Sequence, residues 1–287
     1  MGVLFYLLVL VYSTMTMAAK NLTSVTWVHA VNNQALLASV LQESNKVDMI
    51  EADVIYGHLT NQTDIIPVMG HPPMTESDLS LDDFLEKISK FNEIENVVRK
   101  GVKLDFKSIE AYQNSMESVR KYENASYPLW INADILPGPV DSKVTPVNAD
   151  KFLEVARTFP SKVILSIGWT TNYGVLGNPP NISEGCYDCN QANTMLLKIQ
   201  EHDVKHSVTF PMRAGLVAES LEVVRELLHG VKGSTLTIWS SMGDYVKVDK
   251  LRQLIANIGV DRIYVDVPDK LKERLHLDDL PQPTKKV

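Results

Sequence analysis

The sequence predicts a (β/α)8 barrel. Three observations predict it. Eight short apolar runs, rich in β-branched and aromatic residues, alternate with stretches whose apolar residues recur at helical spacing. No composition break or linker interrupts them, so residues 20–287 read as one domain. An open doubly wound sheet would carry a glycine-rich phosphate loop after an early strand, and none is present.

In order, Val25–His29 reads as the first strand, and Asn33–Glu43 follows with Leu36, Leu37, Val40 and Leu41 at helical spacing. Met49–Ile55 is the second strand. A polar turn through Asn61–Asp64 and a second apolar run then lead to Gly70-His71. Ser80 suits an N-cap for a helix over Leu81–Phe91. Val102–Phe106 is the third strand, and Ser108 can cap a helix running through Tyr122. Leu129–Ile135 is the fourth, followed by the loop Pro137–Pro146 and a helix at Ala149–Thr158. The remaining strands are Val163–Trp169, Ser207–Arg213, Thr235–Ser240 and Arg262–Val267, and the helices between them Gln191–Glu201, Val217–Leu228 and Val248–Ile258.

Composition narrows the function. Of the 287 residues, 45% are hydrophobic and 22% charged, an ordinary globular mixture. The formal net charge is −7 and no basic run exceeds two residues, which argues against nucleic acid and anionic lipid surfaces as partners. Met1–Ala19 contains the unbroken apolar run Val3–Tyr12 and reads as a secretory signal peptide, although no Lys or Arg precedes the run. An uncleaved anchor is the alternative, with a run short for a span. Secretion makes the four sequons at Asn21, Asn61, Asn124 and Asn181 readable as N-glycan sites. It also predicts a local disulfide between Cys186 and Cys189.

A barrel concentrates function at the C-terminal ends of its strands. Glu51 and Asp53 alternate onto one inward face, where two like charges need a cation or a shared proton. His71 sits where a strand empties into a loop, as acid/base partner to a hard-cation site. His29, Asp105, Lys107, Asn132, Asp134, Trp169, Arg213 and Trp239 fall at the other strand ends. Each alone suits a packing or capping role; their convergence at one rim is what suggests a site.

The motifs H-A-V-N (His29–Asn32), E-A-D-V (Glu51–Val54), G-H (Gly70-His71), L-D-F-K (Leu104–Lys107), I-W-S (Ile238–Ser240) and G-V-D-R-I-Y-V-D-V-P-D (Gly259–Asp269) occur in this order. The set resembles the phospholipase-C-like phosphodiesterase superfamily, including glycerophosphodiester phosphodiesterases and spider-venom phospholipase D. Over the mature chain it is most similar to the menorin family, which shares the opening W-V-H-A-V-N. The resemblance implies a magnesium-type ion, with calcium the alternative, on Glu51, Asp53 and Asp105. It implies His29 and His71 as the catalytic pair, Lys107 on a phosphate oxygen, Trp239 walling the substrate pocket, and Asn32 orienting a ligand or His29. It implies a phosphodiester or phospholipid substrate or, for a menorin, an extracellular role with cell-surface adhesion proteins. Two departures stand out: Ala30 replaces the Arg that glycerophosphodiesterases carry after the first histidine, and the third acid is Asp105 rather than Glu.

Overall fold

A computed structural model describes residues 20–42 and 46–281; the expected signal segment lies outside them. Eight parallel strands form a nearly closed barrel in the order β1 (Trp27–Val28), β2 (Met49–Leu59), β5 (Gly101–Phe106), β6 (Leu129–Pro137), β7 (Ile164–Thr170), β8 (Val208–Arg213), β9 (Thr235–Trp239) and β10 (Ile263–Asp266). The end strands β1 and β10 meet across a seam bridged at its top by His29 Nδ1 and Asp266 Oδ2, 3.2 Å apart. No helix among the described residues is long and apolar enough to cross a membrane.

The helices begin where capping side chains stand. Asn33, Ser80, Ser108 and Asn148 each accept a backbone N–H three residues on, opening α1 (Gln34–Val40), α2 (Leu81–Asn92), α3 (Ile109–Asn114) and α5 (Ala149–Ala156). Asp188 and Gln191 form a reciprocal capping box that starts α6 (Cys189–Glu201).

The structure departs from the expected elements in four places. Strand β2 runs four residues beyond Ile55, because β3 (Ile65–Met69) pairs with it antiparallel and β4 (Glu76–Ser77) adds to its end. The turn between β2 and β3 uses Asn61 at φ 64°, a left-handed conformation that Asn tolerates. The helix expected to run from Ser108 through Tyr122 breaks at Ser115, whose hydroxyl bonds back to Ala111 O and competes with the helix ladder; α4 (Met116–Arg120) follows. The helix expected at Val217–Leu228 divides into α7 (Ala214–Val217) and α8 (Leu221–Gly230), with Ser220 Oγ bonded to Leu216 O. After α9 (Val248–Ile258) and β10, α10 (Asp269–Leu275) is an unforeseen helix.

Alternation along the strands sorts the barrel. Ile50, Ala52 and Val54 on β2 and Val102, Leu104 and Phe106 on β5 join the core beneath the helices. The intervening residues face the interior. At its lower end Trp27, Trp130 and Tyr264 meet edge to face, with centroids 4.9–6.1 Å apart, beside Val25 and Met49. Above this floor the interior turns polar: Glu51 pairs in register with Lys103, Asp53 with Asp105, Asp105 with Asn132, and Asn132 with Ser166. The floor closes one end, so the polar column opens at the strands' C-terminal ends.

Candidate functional site

The column ends in a cavity of about 330 Å3 lined by His29, Asp53, His71, Asp105, Lys107 and Trp239 from the expected set. Lys103, Asn132, Asp134, Tyr173 and Arg213 are also among its lining residues. A wider cleft of about 760 Å3 lies elsewhere, beside α9 and α10, lined by Lys247, Lys250, Arg252 and Arg274. It holds one acid, Asp249, and no acidic cluster.

One carboxylate oxygen each from Glu51, Asp53 and Asp105 lies within 4.8 Å of the other two. Ligands about 2.3–2.6 Å from a calcium-sized ion can be this far apart, so the spacing fits a hard cation held by oxygen alone. Glu51 is wholly buried. Its Oε2 accepts the Ala30 N–H at 2.8 Å and lies 3.1 Å from His29 Nδ1. Its Oε1 is buried without a partner among the described residues, a costly state that a coordinated ion would relieve. Ala30 adopts φ 55°, a conformation uncommon for residues with a Cβ. Its N–H meets Glu51 there, so local strain goes with the orientation of the first acid.

Asp53 and Asp105 are braced from two sides. Asn32 Nδ2 donates to Asp53 Oδ2 at 2.7 Å, and Asn32 Oδ1 accepts the Asp53 N–H at 2.9 Å. Asn32 is thus spent on Asp53 and does not line the cavity, where the resemblance implied a ligand or His29 as its partner. Asn132 holds Asp105 Oδ1 at 2.7 Å and is itself held by Ser166. Lys107 Nζ bridges the two acids, 2.7 Å from Asp53 Oδ1 and 2.6 Å from Asp105 Oδ2.

The cluster is electrostatically unbalanced. Five carboxylates (Glu51, Asp53, Asp105, Asp134 and Asp266) face Lys103, Lys107 and His29. Burial pushes Glu51 up to about 7, against the pull of His29. Burial, reinforced by the Asp105 charge, pushes Asp134 up to about 7. Burial acts on Asp105 in the same sense, but Lys107, Lys103 and the bonds from Lys107 and Asn132 together hold its pKa below the usual value. Burial would lower Lys107, but Asp105, Asp53 and Glu51 raise it well above the usual lysine value. The Glu51 charge raises His29 to about 9, opposed by burial and aided by Asp266.

Both histidines present the same ring edge. His29 Nδ1 is fixed by Glu51 and Asp266, and His71 Nδ1 donates to Pro72 O at 2.7 Å. Both rings line the cavity, and among the described residues neither Nε2 has a hydrogen-bond partner.

Sequence reasoning assigned no role to Lys103, Asp266 or Asp244 and left Asp134 and Arg213 as strand-end polar residues. The inward alternation of V-K-L-D-F could have revealed Lys103, which shares its face with Asp105. Asp266 lay inside the Gly259–Asp269 motif. Asp244 sits in a loop and carried no local signal. The expected Cys186–Cys189 bridge is not formed: both thiols are free and exposed, on either side of the buried Tyr187 that is packed against Trp169.

The acidic triad and two histidines thus lie at the C-terminal mouth of the barrel, the end at which such barrels carry their functional residues. Comparison with known proteins places the chain more closely. The profile of the menorin N-terminal domain matches residues 21–272, and the chain belongs to the menorin family. It is similar to human Protein FAM151B, with 34% identity over 258 residues covering 87% of this chain and 84% of that protein.

Proposed function

We propose that the chain is a secreted, divalent-metal-dependent phosphodiesterase or phospholipase-D-like barrel acting on a phosphodiester or phospholipid headgroup. The observation that carries this reading is the convergence of three carboxylate oxygens within 4.8 Å beside two histidines with Nε2 free. A binding scaffold has no evident need of that combination.

Glu51, Asp53 and Asp105 would hold the ion, Mg2+ or Ca2+, which would supply neutralisation of phosphate charge. The chain's own groups supply the rest. Lys107 is a point charge for a phosphate oxygen once freed from Asp53 and Asp105. His29 donates from Nδ1 to carboxylate. With Glu51 raising it to about 9 the ring is protonated near neutral pH, and its Nε2 acts as nucleophile or base only after giving up that proton. His71 carries a proton on Nε2 to the leaving oxygen. Trp239 walls the pocket that excludes water from the reacting group.

The reading includes an extracellular location, with Met1–Ala19 removed as a leader. In support, Asn61, Asn124 and Asn181 are exposed, as glycan acceptors must be, while Asn21 is half-buried. Under oxidising conditions Cys186 and Cys189 would then be free to bridge.

A second reading has its own observation. Lys107 already neutralises part of Asp53 and Asp105, so the barrel needs neither ion nor turnover to hold together. On that reading the chain is an extracellular ligand or co-receptor component that binds cell-surface adhesion proteins, a role implied by the menorin resemblance. The deciding experiment incubates purified protein with an extracellular lipid extract and Mg2+, with EDTA as control. Release of a headgroup in the Mg2+ arm alone supports the enzyme. No release, with adhesion-protein binding unaffected by His29→Ala and His71→Ala, supports the binder.

A further inference from the structure

Away from the acids, the cavity has a cationic and aromatic wall built around one residue. Arg213 ends β8 and is 6% exposed, yet it lines the cavity. Its Nε and Nη2 donate to the two oxygens of Asp244, each at 2.8 Å, and its Nη1 donates to Thr171 Oγ1 at 3.1 Å. These bonds use three of its five N–H groups. Asp244 is wholly buried behind it and also accepts the Ser241 N–H at 3.1 Å. The neighbouring chain leaves no slack: a Cβ at Gly174, whose φ is +72°, would come within 2.2 Å of Asp244 Oδ1.

The guanidinium lies 5.0 Å from the Trp239 ring and 5.6 Å from the Tyr173 ring. An open pair of aromatic faces would suit a quaternary ammonium. Here the faces are already taken by a cation, so a cationic group at this wall would meet repulsion. A planar guanidinium held by a carboxylate, with two N–H groups to spare, suits an anionic oxygen.

We propose that Arg213 is a second anion-holding residue of the cavity besides Lys107, taking another phosphate oxygen of the bound ester, and that Asp244 is its positioning residue. The proposal rests on the phosphodiester reading for its ligand class. It also specifies that the group against this wall is anionic and not a choline-type cation.

Calorimetry on the full mature protein tests it, with sn-glycerol 3-phosphate and choline as probes, in Mg2+ and in EDTA, and with Mg2+ itself titrated separately. Glycerol 3-phosphate should bind saturably and choline should not. Arg213→Lys, which keeps the charge but loses the fork, should weaken glycerol 3-phosphate by roughly tenfold to a hundredfold while Mg2+ affinity stays unchanged. Asp244→Asn should weaken it less and leave Mg2+ affinity unchanged, although unpairing the buried Arg213 lowers the melting temperature. A merely structural role would lower the melting temperature without weakening glycerol 3-phosphate in the still-folded protein. Because a lone Arg213→Gln leaves Asp244 buried and unpaired, Arg213→Gln/Asp244→Asn serves as the folded neutral control and should bind as poorly as Arg213→Lys or worse. Unchanged affinity in these variants, preferential choline binding, or no saturable glycerol 3-phosphate binding in either arm would overturn the proposal. Arg213-dependent binding without detectable Mg2+ binding would instead leave it standing and remove the metal reading.

Discussion

The floor and the mouth of this barrel are built on the same strands by the same alternation, yet they obey different rules. In the floor, Trp27, Trp130 and Tyr264 bury ring against ring, and edge-to-face contact adds to burial. At the mouth five carboxylates crowd together, Asp134 and Asp266 two to four residues beyond Trp130 and Tyr264 on the same strands and Glu51, Asp53 and Asp105 on β2 and β5. There Glu51 keeps a buried oxygen without a partner among the described residues. Fold stability asks for the first arrangement and gains little from the second. The mouth therefore costs stability where the floor adds to it, and the two regions should respond to substitution in opposite ways.

The largest effect should come from the histidines. General acid–base assistance is worth about 10²–10⁴ in rate, so His29→Ala or His71→Ala should lower phosphodiester turnover by at least the lower figure. The melting temperature should barely move for exposed His71, whereas His29→Ala also removes the partner of Glu51 and Asp266 and should lower it. The double variant should lose little more than either single one, because both rings serve one reaction coordinate. Full turnover in both single variants would remove catalysis from the mouth and leave the binder reading.

The floor should show the reverse. Trp130 is fully buried, and Trp130→Ala should cost about 3–5 kcal/mol by chemical denaturation, with Mg2+ affinity of the still-folded fraction unchanged. A loss of Mg2+ affinity in parallel with stability would mean that floor and mouth are one cooperative unit.

Much of this contrast was legible in the sequence. Period-two spacing in M-I-E-A-D-V-I put Glu51 and Asp53 on one face, and the strand ends collected His29, Asp105 and Lys107. The network among them was not. Lys103 gains a partner only when the barrel closes around it, and Asn32 meets Asp53 only because β1 and β2 lie side by side. Arg213 and Asp244 are 31 positions apart and meet only because β8 and β9 are neighbours. The apolar run before Gly70-His71 is visible in the sequence, but its antiparallel pairing with β2 is not.

Asn32 supplies a subtler test of the mouth. It touches no cavity surface but fixes the Asp53 carboxylate through two hydrogen bonds. Loss of such an outer partner typically costs about 10–100-fold in metal affinity. Asn32→Ala should therefore weaken Mg2+ binding by that order in calorimetry, whereas Asp53→Asn, which removes a ligand, should weaken it further without unfolding the barrel. Equal Mg2+ affinity in wild type and both variants would separate the acidic cluster from any ion.

The smallest expected effect is on pH, and its sign follows from three groups at the mouth. Glu51 and Asp134, raised to about 7, and His29, raised to about 9, all hold a proton in the native state over a range where the unfolded chain has released it. The unfolded state binds fewer protons between about pH 4 and 9 at these sites, so stability falls as pH rises. The His29 contribution is complete below about 6.5 and is lost as pH passes through about 9. Glu51 and Asp134 contribute the fall between about 4 and 7. In EDTA the melting temperature should fall by several degrees between about pH 5.5 and pH 8.5. Glu51→Gln removes both the buried charge and its pull on His29, so it should flatten the slope. Mg2+ should flatten it too, because an ion on Glu51 favours the deprotonated carboxylate and stabilises the native state most where that form prevails. A slope that Glu51→Gln abolishes but Mg2+ leaves untouched would show that the mouth is tuned by protons alone. A slope of the opposite sign would show that the acids are less buried in solution than their packing against Lys103 and Asn132 implies.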